Sequence, residues 1–216
     1  MTRIALIHAL AHSVAPINDA MAREWPQATR MNLLDDSLSA DLAASGSGLD
    51  AAMHERFARL AQYAVDCGSD GILFTCSAFG PCIEAVATRH TPMPVLKPNE
   101  AMVAQAASLG CRIGLVASFA PTLQSMPAEF PAGTELESEL VADAMLALNT
   151  GDTARHDALV VSAAERLVNK GCAVIALAQF SMARARKLVG ERTGLPVLTT
   201  VDSAVSEMRR RIGNTA

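Results

Sequence analysis

Four short apolar runs constrain the fold of this chain more than any other feature: Ile4 to Ile7, Gly71 to Thr75, Ile113 to Ala117 and Val174 to Ala178. Each is nearly continuous, without the polar alternation of a strand that shows one face to water. Strands read this way when both faces are covered, as in parallel sheets flanked by helices. The segments between them carry the helical period instead. Leu49, Met53, Phe57, Leu60 and Ala64 fall on one face, and Leu159, Ala163 and Leu167 run beside Val160, Ala164 and Val168 on another helix. Helix ends are expected at Cys67-Gly68, Leu109-Gly110 and Lys170-Gly171, because glycine accepts the left-handed conformation that closes a helix. Helix, glycine and buried strand, in repetition, predict an α/β fold.

The chain also repeats itself. Gly68 to Phe79 can be laid on Gly171 to Met182, Pro94 to Ala101 on Pro196 to Ser203, and Arg3 to Ile7 on Arg112 to Val116. The identities are few, but three segments align in order and at near-constant spacing. The pattern predicts two pseudo-symmetric parallel-sheet α/β units with the active-site cleft between them. The first half is expected over 1–98, rejoined by a C-terminal helix at about 202–216, and the second over 99–201.

Composition narrows the function. Half of the 216 residues are apolar and 19% are charged, the balance of a globular domain with ample core. Only 4% are aromatic, so Ala, Val, Leu, Ile and Met must build that core. The net charge of −4 argues against a nucleic-acid partner, and the cluster Arg209-Arg210-Arg211 reads as a solvated helix end. No run of 18 apolar residues suggests a membrane span, and Arg3-Ile4-Ala5-Leu6-Ile7 reads as a strand rather than a signal peptide. The five cysteines, Cys67, Cys76, Cys82, Cys111 and Cys172, have no metal-finger spacing. Free thiols in a reducing cytoplasm are expected. There is no phosphate loop, no GxGxxG after the first strand and no HExxH, so no nucleotide, metal or flavin cofactor is expected.

Ligands of open parallel sheets sit beyond the carboxyl ends of the strands. That singles out His8 and Ala9, Thr75 to Phe79, Ser118 and Phe119, and Gln179 to Ser181. The stretch Thr75-Cys76-Ser77-Ala78-Phe79-Gly80-Pro81 is the most informative. It places a thiol between a strand and a helix, with Gly80 as a cap and Pro81 at the first helical position. Backbone N–H groups at such a turn can hold a carboxylate, and the same positive end lowers a thiol pKa. Cys76 is therefore expected to be partly accessible and more acidic than a free cysteine, able to take a proton from carbon or attack an alkene. A buried packing cysteine is the alternative. Cys67, Cys111 and Cys172 sit beside helix-closing glycines, and Cys82 reads as core.

The segment Asp70-Gly71-Ile72-Leu73-Phe74-Thr75-Cys76-Ser77-Ala78 resembles the first motif of the Asp/Glu/hydantoin racemases, and Pro94-Val95-Leu96 resembles the strand after it. That family consists of duplicated α/β proteins of about this size, with one cysteine at a strand end in each half. The resemblance implies a cofactor-free racemase or isomerase of a small carboxylate, such as an amino acid, a hydantoin or a dicarboxylate. Cys76 would be its thiol, and a homo-oligomer is expected. The second motif departs from the family. Ala176-Leu177-Ala178 leads into Gln179-Phe180-Ser181, so Gln179 stands where the second cysteine would be. Gln cannot exchange a proton with carbon, which puts two-thiol racemisation in doubt.

A single thiol still permits chemistry within the superfamily. Arylmalonate decarboxylases work with one cysteine, theirs in the second half, and maleate isomerases resemble the first-half thiol used as a nucleophile. On this resemblance Thr75, Ser77, Ala78, Ser118 and Ser181 would hold carboxylate oxygens, and Phe79, Phe119 and Phe180 would wall the pocket, with ordinary packing as their alternative. His8 would bind a carboxylate or assist the thiol, with a structural role as its alternative. His12 and Ser13 in the following loop share that ambiguity. The rival readings are an arylmalonate-type decarboxylase and a non-catalytic metabolite-binding protein. The loops at 35–48 and 122–133 would set the pocket size.

Overall fold

The computed structural model describes residues 2–46 and 48–215. Met1, Ser47 and Ala216, the ends of the expected first half and one residue of the 35–48 loop, lie outside the described residues. The chain divides into two compact units, residues 1–98 with 204–216 and residues 99–203.

In the first unit the elements run β1 (Arg3–His8), α1 (Val14–Glu24), β2 (Thr29–Leu34), α2 (Ser37–Ser45), α3 (Ala51–Asp66), β3 (Gly71–Phe74), α4 (Gly80–Arg89) and β4 (Val95–Leu96). In the second they run α5 (Glu100–Ser108), β5 (Ile113–Ala117), α6 (Ala120–Ser125), β6 (Leu136–Leu140), α7 (Ala142–Asn149), α8 (Thr153–Asn169), β7 (Val174–Leu177), α9 (Arg186–Thr193) and β8 (Val197–Thr199). A last helix, α10 (Thr200–Thr215), carries the chain back into the first unit. Each unit holds a four-stranded sheet, β2-β1-β3-β4 and β6-β5-β7-β8, and every pairing is parallel.

The registers repeat as well as the order. Ile4 pairs with Gly71 in the first sheet, and their repeat counterparts Ile113 and Val174 pair in the second. Ile72 with Val95 likewise answers to Ile175 with Val197. The central strands are uniformly apolar because alternate residues enter different layers. In the second unit Val116, Ile175 and Leu177 pack with Val160, Ala164 and Leu167 of α8, whereas Leu115, Val174 and Ala176 pack with Met102, Val103 and Ala106 of α5. In the first unit Ala5, Ile7, Ile72 and Phe74 pack on Phe57 and Ala61 of α3 and on Ile83 and Val86 of α4.

The helix ends repeat too. Asp50 accepts from the Met53 N–H at 2.8 Å, and Asp152 from the Arg155 N–H at 3.0 Å, so an aspartate opens both α3 and α8. At the other end Gly68 and Gly171 take positive φ, 74° and 82°. Beside them Arg3 donates to the Cys67 carbonyl, and Arg112 donates to that of Lys170 at 3.0 Å. The guanidinium satisfies a terminal carbonyl and suits the negative end of the helix.

The regions expected as loops are partly helical: 35–48 carries α2, and 122–133 carries the end of α6 and a 3-10 turn at Met126–Glu129. The edge strands β2 and β6 complete the sheets with half-exposed, mixed sequences, which is why they do not read as apolar runs. Among the described residues, no helix is long and apolar enough to cross a membrane.

Candidate functional site

The site of interest in the first unit begins where β3 ends. The Thr75 N–H still reaches the Ile7 carbonyl at 3.0 Å, keeping the chain extended beside β1. Cys76 follows in an extended conformation, φ −128° and ψ 122°, and heads a 3-10 turn at Ser77–Phe79. Helix α4 then opens at Gly80, with Pro81 in its first turn. The turn between thiol and helix is an addition to the sequence reading, which put Gly80 in the capping place.

Cys76 is partly buried. It lines a niche with Ile7, His8, Ala9, Leu38, Phe57 and Phe74 that has no room for a water molecule. Burial pushes the thiol up from its ordinary pKa, against the opposing pull of two donors aimed at the sulfur, the Ala78 N–H and the Ser39 hydroxyl. This corrects the expectation of a thiol more acidic than a free cysteine. A dry apolar wall disfavours the thiolate more than two hydrogen bonds favour it. Cys82 is fully buried and is pushed up to about 11 by desolvation and by the negative charge of Asp50, which leaves it a core residue.

His8 is fully buried at the end of β1. Its Nδ1 lies 2.9 Å from the Thr75 hydroxyl and its Nε2 3.0 Å from Asn32 Oδ1. The neighbouring amides fix the tautomer. Asn18 Nδ2 donates to the Val14 carbonyl and to Asn32 Oδ1, both at 2.8 Å, so that oxygen faces the imidazole and Nε2 carries the proton. Burial holds the His8 pKa below its usual value, with the Asn32 bond opposing. In the neutral ring Nδ1 accepts, and the single Thr75 hydroxyl proton goes to it rather than to the Ile7 carbonyl at 3.3 Å. Thr75, expected as a carboxylate donor, has that donor committed to His8. The relay through Asn32 and Asn18 has no signature in the sequence, because β2, which carries Asn32, is too exposed and mixed to read as a strand.

The second unit repeats the backbone and changes the chemistry. Gln179 is extended, φ −132° and ψ 145°, and heads a 3-10 turn at Phe180–Ala185, as Cys76 heads its own. Its Oε1 accepts from the Ser118 N–H at 2.5 Å and from the Ser118 hydroxyl at 2.9 Å. Ser118, at the end of β5, thus spends both donors on Gln179. Ser77, Ala78 and Phe119 are partly exposed beside their strand ends, whereas Ser181 is buried in its turn. Phe79 and Phe180 are core rings. Phe79 packs on Phe57 with centroids 4.9 Å apart, the packing alternative weighed from the sequence. Among the described residues no cluster of three or more His, Cys, Asp or Glu side chains is placed to hold a metal ion.

Two parallel α/β units of one topology, each presenting a polar residue at the carboxyl end of its third strand, define a duplicated fold of the racemase class. The Asp/Glu/hydantoin racemase family model matches residues 11–208, and the chain belongs to that family. A glutamate racemase from Thermus thermophilus is 18% identical with a TM-score of 0.75, covering 99% of this chain and 81% of its own. An allantoin racemase from Klebsiella pneumoniae is 17% identical with a TM-score of 0.68, covering 100% and 89%. An arylmalonate decarboxylase is also 17% identical, with a TM-score of 0.63 and coverage of 100% and 95%. At these identities the likeness is one of fold. No curated protein sequence matches the chain.

Proposed function

We propose that this chain is a racemase- or isomerase-type enzyme that acts on a small carboxylate without a cofactor, using Cys76 as its one acid–base thiol. The observation that carries the reading is the setting of the Cys76 sulfur. It sits at the carboxyl end of β3 with the Ala78 N–H and the Ser39 hydroxyl aimed at it, in a chain of a racemase family. Those donors would stabilise a thiolate once formed, while the apolar niche keeps the resting group protonated. Such a thiol exchanges one proton with carbon, and the carbanion left or met is an enolate of the substrate carboxylate. Gln179, which stands where the family's second cysteine would be, is no acid–base group, so the transfer is one-sided. All five cysteines are free, which suits the reducing cytoplasm in which we place the protein.

The protonated resting thiol also favours a second reading, decarboxylation of a malonate-type acid. There the bond to carbon dioxide breaks, its electron pair forms the enolate, and the Cys76 proton moves to carbon. Water then reprotonates the sulfur.

The test is hydrogen exchange at carbon in deuterated water over a panel of small carboxylates, for the wild type and for Cys76→Ala. Cys76-dependent exchange supports the isomerase reading, and Cys76-dependent carbon dioxide release from substituted malonates supports the second. Turnover that survives in Cys76→Ala would refute both, and no turnover in either protein would leave a metabolite-binding protein.

A further inference from the structure

We propose that Arg56 is a positioning residue for Cys76, clamping α2 so that Leu38 and Ser39 stay against the thiol. The inference rests on the reading of Cys76 as the reacting thiol and adds to it the group that fixes its surroundings.

Helix α2 supplies two of the contacts that define the Cys76 setting. Leu38 is fully buried and lines the dry niche, and the Ser39 hydroxyl is aimed at the sulfur. Yet α2 has little of its own to hold it there. It has nine residues, buries only Leu38 fully, and gains no side-chain capping bond from Asp36 at its N-cap. A helix this short is not stable alone in water. Leu42 adds a partly buried contact with the core.

Arg56 of α3 supplies what is missing. Its Nη1 donates to Asp41 Oδ2 at 2.6 Å, and its Nη2 donates to Asp35 Oδ2 at 2.7 Å and to the Ser37 hydroxyl oxygen at 2.6 Å. Asp35 Oδ1 accepts from the Ser37 N–H at 3.2 Å and from its hydroxyl at 2.5 Å, and the Asp35 N–H reaches the His8 carbonyl at 3.0 Å. One guanidinium therefore ties the start and the middle of α2 to α3 and to the end of β1. Against its burial, the Ser37 hydroxyl and Arg56 hold the Asp35 carboxyl below the usual carboxylate range, so the clamp is charged at neutral pH. The next residue, Phe57, lines the niche directly. Helix α3 thus builds the niche twice, with the Phe57 ring and, through α2, with Arg56. Lysine has no planar fork with which to span the three acceptors.

The titratable groups lining the niche are Cys76 and, from β1, His8, and Arg56 faces Asp35 and Asp41. The test alkylates the full-length protein with iodoacetamide from neutral to alkaline pH and follows each cysteine by mass spectrometry of its peptide. Arg56→Gln should release α2 and let water into the niche, relieving the desolvation that dominates at Cys76. Labelling of Cys76 at neutral pH should then rise about tenfold, as for a pKa one unit lower, with the whole profile moved to lower pH. Cys67, outside the niche, should label as before. Leu38→Ala should reproduce the rise, and adding Arg56→Gln to it should change little more, since both act through one helix. Ser39→Ala should act in the opposite direction and slow labelling, because it removes a donor to the thiolate while the niche stays dry. Arg56→Lys should fall between the wild type and Arg56→Gln. Arg59→Gln, which breaks a pair within α3 alone, should leave Cys76 unchanged. The inference is overturned if the Cys76 profile of Arg56→Gln matches that of the wild type, or if Cys67 labelling rises equally. It is also overturned if Arg56→Gln has its full effect in the Leu38→Ala background. Labelling needs no turnover, so the clamp can fail while Cys76-dependent hydrogen exchange stands, and can be found where that exchange is absent.

Discussion

Two residues at the carboxyl ends of β1 and β3 carry opposite titration behaviour from one cause. Burial disfavours charge, so it raises the Cys76 thiol and lowers the His8 imidazole. For Cys76 the consequence is slow alkylation. At pH 7 iodoacetamide should label it more slowly than a small peptide thiol. The rate should climb about tenfold per pH unit well into the alkaline range, as the thiolate fraction does. Labelling at pH 7 as fast as the peptide thiol would contradict the dry niche. For His8 the consequence is a loss of stability in acid. Its folded pKa lies below that of the unfolded chain, so below about pH 6.5 the unfolded state takes up the proton first. Stability contributed by the neutral ring is complete above that pH and declines as pH falls toward the folded value. Urea midpoints between pH 7.5 and 5.5 should show this slope, and His8→Gln should flatten it. The Cys76 environment is not legible in the sequence because Leu38, which lines the niche, and Ser39, which donates to the sulfur, come from α2, a helix without an apolar period.

Among the elements, the third strands of the two units correspond in the repeat and differ where they open. Gly71 opens β3 where Val174 opens β7. A Cβ on Gly71 would come 2.9 Å from Met208 Sδ and 3.3 Å from Ile212 Cδ1, because α10 lies on that face of the first sheet. Gly71→Val, which copies the second unit, should therefore destabilise the protein by ~1–3 kcal/mol through overpacking. Gly71→Ala should cost less, since the Met208 thioether can shift. Chemical denaturation of both variants decides this, and an unchanged midpoint in Gly71→Val would mean that α10 gives way freely. The strands that could be read from sequence were those buried on both faces, since only they are uniformly apolar. Strands β2 and β6 have patterns that half-exposure leaves mixed, and α2 has one fully buried residue, Leu38, so none of the three carried a periodic signal. The turn chemistry was clearer: glycines at 68, 110 and 171 all adopt the positive φ that their places at helix ends implied.

At the scale of the whole molecule, duplication was legible because three segments kept their spacing, and the matched strand registers show the same correspondence in the backbone. What divides the two units is chemical, a thiol in one and an amide in the other. We therefore expect the wild type to show weak or no racemisation of aspartate or glutamate. Gln179→Cys should create or raise it, as chiral analysis in deuterated water would show, since one working acid–base group contributes ~10²–10⁴-fold. Product chirality is the deciding readout, and rapid racemisation by the wild type would refute the one-thiol scheme. Helix α10 has a separate consequence. Its first turn belongs to the second unit and the remainder to the first, so the second unit is nested within the sequence of the first. During synthesis on the ribosome, the sheet bearing Cys76 emerges before the second unit, yet Gly71 waits uncovered until α10 follows that unit and Met208 arrives. The first unit to begin is thus the last to close.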